Sequence, residues 1–105
     1  MKISELFSDQ SKWTKHHYAT DRFGQPVRAR DLDACHWCLV GALICCYGGA
    51  AAREAEERLY DVLKRRQAVD LGDPEWRNTG TLAAWNDASA RKFEEVRALV
   101  EEAGV

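Results

Sequence analysis

At 105 residues, 46% apolar and 30% charged, the chain has the size and composition of one folded domain with a single core. Two prolines and seven glycines are too few for a disordered linker, and no apolar run approaches the roughly 20 residues that span a bilayer. The formal charge of −2 hides an asymmetry: residues 1–30 carry six Lys or Arg against three acids, and the remainder nine against fourteen.

In chain order, residues 2–10 suit a short helix with Ile3, Leu6 and Phe7 on one face. Charges interrupt this opening, so it does not read as a secretory leader, and a cytoplasmic protein with reduced cysteines is expected. "WTKHHYATDRFGQPVRARD" lacks helical periodicity and turns at "DRFGQP", which predicts a small β-hairpin. Next comes "DLDACHWCLVGALICCYGG", with all four cysteines, apolar on nearly every side. It predicts a buried central helix over about 33–47, opened by Asp31 or Asp33 and closed by Gly48 and Gly49. Gly41 within it weakens the helix by roughly 1 kcal/mol relative to Ala, which implies close approach of a neighbouring element.

An amphipathic helix is expected over about 50–69, with Ala52, Ala55, Leu59, Val62 and Val69 inward. A loop follows, with one helical turn at Pro74 to Arg77. The segment 81–85 suits a short helix or a strand equally. The final helix, about 88–103, buries Phe93, Val96, Val100 and Ala103 and takes its cap from Asn86, Asp87 or Ser89. Together these elements predict one α+β domain over 1–105, mostly α.

Three chemistries deserve weighing. Cations interleaved with aromatic and imidazole groups (Trp13, Lys15, His17, Tyr18, Arg22, Phe23, Arg28, Arg30) make the hairpin a candidate contact surface for a protein, or for phosphate or single-stranded nucleic acid. Alanine at Arg22, Arg28 and Arg30 is expected to weaken such contacts without lowering the melting temperature. Cys35, in the first turn of the predicted helix, would have a lowered pKa, so Cys35 with His16 or His17 is the alternative for thiol-based hydrolysis or group transfer. Third, Cys35 and Cys38 with His16 and His17 are a conceivable Cys2His2 zinc set. All four cysteines together are excluded on one helix, because Cys35 and Cys45 would stand about 15 Å apart along its axis. Buried cysteines acting as small hydrophobes are the commoner case, so no cofactor, metal or catalytic role is assigned. Phosphate-binding loops, dinucleotide fingerprints and nucleophile elbows are absent from the sequence.

"WTKHHYATDRFGQPV", "WCLVGAL" and "LAAWND", in that order, resemble a family of small uncharacterised proteins from phages and actinobacteria. The resemblance maps Trp13, Asp21, Gly24, Trp37, Cys38, Gly41, Trp85, Asn86 and Asp87 onto shared motifs and carries no activity with it. It implies a non-enzymatic protein of mobile-element origin that binds a host or phage macromolecule, for example to inhibit a bacterial defence complex. Trp85-Asn86-Asp87 would be a buried anchor and helix cap, or else a polar pair lining a pocket beside the hairpin. A monomer or a homodimer, away from membranes, fits the composition.

Overall fold

From Trp13 to Trp37, backbone pairing rather than helix organises the chain. The computed structural model describes residues 1–66 and 77–105. Its elements in order are α1 (Ile3–Leu6), a 3-10 turn (Gln10–Lys12), β1 (Ala19–Thr20), β2 (Pro26–Val27), β3 (His36–Trp37), α2 (Leu39–Cys46), α3 (Gly49–Arg65), α4 (Thr79–Asp87) and α5 (Phe93–Ala103). The protein is thus α+β and mostly α, as its sequence predicts. Val69 and most of the turn expected at 74–77 lie outside the described residues.

The hairpin forms as expected: β1 runs antiparallel to β2, with Ala19 opposite Val27 and Thr20 opposite Pro26. Asp21 builds its turn by accepting the N–H groups of Phe23 and Gln25 on one carboxylate oxygen, and Gly24 takes a φ of +79°. A third strand, β3, pairs antiparallel with the other edge of β1, giving the order β2-β1-β3. Beyond it, Thr14 N–H donates to Trp37 O.

This third strand corrects the expected start of the central helix. Asp31 does not cap it; its carboxylate closes a local turn on Asp33 N–H. The N–H of Cys35 then goes to Thr20 O and that of Cys38 to Tyr18 O, so residues 35–38 are held extended. The helix opens only at Leu39, with Cys38 as its N-cap. A short apolar run does not distinguish a buried strand from a buried helix, and here it contains one of each.

From Leu39 to Leu43, α2 is buried throughout, whereas Ile44 is exposed. It lies against α1, α3 and α4, with α5 packed on α1 and α3. The core gathers Ile3 and Phe7, Leu39 and Leu43, Leu59 and Leu63, Leu82, and Val96, Leu99 and Val100. Phe7 meets Phe93 edge to face. The expected close approach at Gly41 is present: a Cβ there would stand 1.7 Å from Tyr18 O.

The segment 81–85 is helical, as part of α4. That moves Asn86 and Asp87 to the end of α4 and away from the start of α5, which opens five residues later than expected. Its N-cap is Lys92, whose N–H is accepted by the Glu95 carboxylate. Between the two helices Arg91 stacks on the Trp85 ring at 3.8 Å and donates to Trp85 O at 2.8 Å, closing the end of α4. No helix among the described residues is long and apolar enough to cross a membrane.

Candidate functional site

The residues singled out in the sequence separate into two groups. One fastens the hairpin to α4. Asn86 is fully buried at the end of α4 and satisfies four partners. Its Oδ1 accepts Trp13 Nε1–H at 2.7 Å and Leu39 N–H at 3.1 Å; its Nδ2 donates to Thr14 O at 3.2 Å and to Asp87 Oδ1 at 2.9 Å. Asn86 is therefore a helix cap, but for α2 rather than α5, reaching one of the orphan amides of that helix. Asp87 Oδ1 also accepts His16 N–H at 2.9 Å and holds His16 at a φ of +72°. Lys15 donates to Ala88 O at 2.7 Å and stands over the Trp13 ring. Trp85 is buried.

Arg30 belongs to the same structural class. Its Nε donates to Ile44 O at 2.9 Å and its Nη2 to Tyr47 O at 2.8 Å, so it closes the C-terminal end of α2, where a cation is favoured. The expectation that alanine here leaves the melting temperature unchanged does not fit these bonds.

The second group stands in solvent. Phe23 is 73% exposed, Tyr18 56%, and Leu32, in the loop between β2 and β3, 102%. Leu32 was not singled out in the sequence: one apolar residue between two aspartates carries no periodic signal. Phe23 and Leu32 line a groove of about 460 Å³ together with Asp21, Arg22, Asp33 and Cys35. Arg22 lies 4.8 Å from the Phe23 ring centroid. Arg28 lines an adjoining groove that also contains Leu32 and Asp33. No ion pair engages Arg22 or Arg28 among the described residues. His17 is exposed at the base of the hairpin.

All four cysteines are free thiols. Cys35 precedes β3, half-buried, with its thiol donating to Asp33 O at 3.3 Å, so it does not stand in the first turn of a helix as expected. Cys38 does sit at a helix start and accepts Gly41 N–H on its sulfur at 3.3 Å, yet burial pushes its thiol pKa up. Burial raises Cys46 to about 11. Neither Cys35 nor Cys38 has a histidine as hydrogen-bond partner among the described residues. No group of three or more His, Cys, Asp or Glu there could hold a metal ion, so Cys35, Cys38, His16 and His17 do not converge as a zinc set.

The model of a family of unknown function, DUF6197, matches residues 2–104. Neither the curated proteins nor the solved structures give a match.

Proposed function

We propose that this chain, which belongs to the DUF6197 family of unknown function, is a non-enzymatic binding protein whose hairpin tip docks on another protein. The supporting observation is the pair Phe23 and Leu32, both exposed and both lining one groove, while most other large apolar groups among the described residues are buried. Charge decides between partner classes. Arg22, Arg28 and Arg30 are offset by Asp21, Asp31 and Asp33 around the same grooves. A near-neutral patch with an apolar centre and mixed charged rim suits a protein interface, whereas nucleic acid favours an uncompensated basic one. The resemblance to phage proteins gives this reading its most concrete form, inhibition of a host defence complex in the cytoplasm.

The test is photocrosslinking from benzoylphenylalanine placed at position 23 or 32, with position 94 on the exposed face of α5 as control. A discrete adduct with one protein from positions 23 and 32 alone, lost when Arg22 and Arg28 are replaced by Glu, supports the proposal. A doubled chain as sole adduct would identify a homodimer face. Equal labelling from position 94, or retention on single-stranded DNA that needs Arg22 and Arg28, would overturn it.

A further inference from the structure

On the base of the hairpin, away from Phe23 and Leu32, a separate pocket of about 460 Å³ opens between the sheet and α4. Its size falls within the range of small-ligand sites. One wall is His16, His17 and Tyr18; Ala19, Pro26, Val27 and Ala83 give it an apolar lining; Cys38 and Asp87 complete it. Two alanines, on β1 and α4, leave the space open.

Among the described residues that line it, Asp87 contributes the only carboxylate and none is Lys or Arg. Its Oδ1 is occupied by His16 N–H and Asn86 Nδ2, which fix the carboxylate's orientation. Among the described residues its Oδ2 accepts no hydrogen bond; the His16 ring nitrogen stands 3.8 Å away, too far for one. The side chain is 27% exposed. Asn86 is in turn fixed by Trp13, Thr14 and Leu39. A pre-oriented acceptor is thus held at the edge of an apolar recess by a fully satisfied amide, with imidazole and phenol groups alongside.

We propose that this pocket binds a planar organic cation of the guanidinium class. A guanidinium is flat, weakly hydrated and rich in donors; it pairs with a carboxylate and lies well on aromatic faces, while its alkyl stem suits the Pro26, Val27 and Ala83 lining. An anion would meet Asp87 head-on, and a neutral apolar ligand would leave the Oδ2 desolvated without a partner. The cation is either a free small molecule or the tip of an arginine presented by a protein. This assignment stands independently of the hairpin-tip surface.

The experiment is an amide-resolved NMR titration of the whole chain with n-butylguanidinium, with n-butylurea as the neutral isostere and acetyl-Gly-Arg-Gly-amide as the peptide-borne form. Saturable shifts centred on residues 16–19, 27, 83 and 87, with a dissociation constant in the millimolar range or tighter, are expected for butylguanidinium and at least about tenfold weaker binding for butylurea. Asp87→Asn, which keeps the acceptor for His16 N–H, should weaken the cation about tenfold or more with the rest of the amide spectrum unchanged. Ala83→Leu, which fills the recess and leaves the carboxylate in place, should abolish binding. Comparable affinity for the peptide assigns the pocket to a partner's arginine; binding of butylguanidinium alone assigns it to a free ligand. Equal affinity for the urea, no shift up to about 20 mM, or shifts spread over the acids of α3 and α5 would overturn the proposal. If Asp87→Asn fails to fold, the urea and Ala83→Leu comparisons decide alone.

Discussion

Asn86 uses both its acceptor sites and both its donors on four different partners, and no isosteric residue can do the same. Asn86→Asp removes two donors and places a carboxylate in a fully buried site; Asn86→Ala strands Trp13 Nε1–H and Leu39 N–H. Either should cost about 3 kcal/mol, read as a shifted urea midpoint. At Gly41, alanine would gain roughly 1 kcal/mol of helix propensity. Its Cβ would meet the Tyr18 carbonyl at 1.7 Å, an overlap that backbone must move to relieve. The expected net loss is about 2–4 kcal/mol, again read from urea unfolding. Thiol chemistry adds a pH dependence. Burial lifts the folded Cys46 pKa to about 11, above its value near 8.5–9 in an unfolded chain. The folded state then holds the proton more tightly, so this contribution is full below about pH 9 and is lost as pH rises towards 11. Cys46→Ala should flatten that part of the stability profile, leaving the same-signed contributions of Cys38, Tyr47 and Tyr60.

At the scale of elements, the joins depend on side chains that composition alone would place on the surface. Arg30 closes α2, Arg91 closes α4, and Arg97 reaches from α5 to Ser8 O beyond α1. Arg30→Ala should lower the melting temperature by several degrees, whereas Arg22→Ala, at the exposed tip, should leave it within about one degree. Parallel thermal melts check both. Amphipathic helices were the legible elements: α3 and α5 repeat their apolar residues over several turns, and Ala55, Leu59 and Val62, then Phe93, Val96 and Val100, are buried as read. The strand His36–Trp37 was not legible, because its two residues sit in an apolar run and their pairing partners lie at 19–20. The same non-local logic hid the role of Asn86. Its position before a helical pattern suggested a local cap, whereas its contacts run to residues 13, 14 and 39.

At the scale of the whole molecule, the fold class followed from pattern, while the surface followed from tertiary packing. The basic, aromatic N-terminal third reads in sequence as one patch. In three dimensions it divides: Trp13, Lys15 and Arg30 are bonded to neighbouring backbone or side chains, Arg30 while remaining exposed, and Arg22, Phe23 and Arg28 face outward. Aspartates around the outward part bring its charge close to balance, which no count along the chain reveals. A mixed surface of this kind should bind with weak dependence on salt. For a partner identified by crosslinking, raising the salt about tenfold should change affinity by far less than the several decades expected of a phosphate-binding patch.

The bond between Trp13 and Asn86 joins positions 73 apart in the sequence. Closing a loop of that length costs more entropy than forming local contacts, so this fastening is expected to form late in folding. Once made, it ties the entry of the hairpin, the start of α2 and the end of α4 to one amide group. Those three regions should therefore open together: the amides of Thr14, His16 and Leu39 are expected to exchange with solvent deuterium at one common rate. Tryptophan 13 then becomes a built-in reporter, its indole signal marking the moment at which the molecule closes on itself.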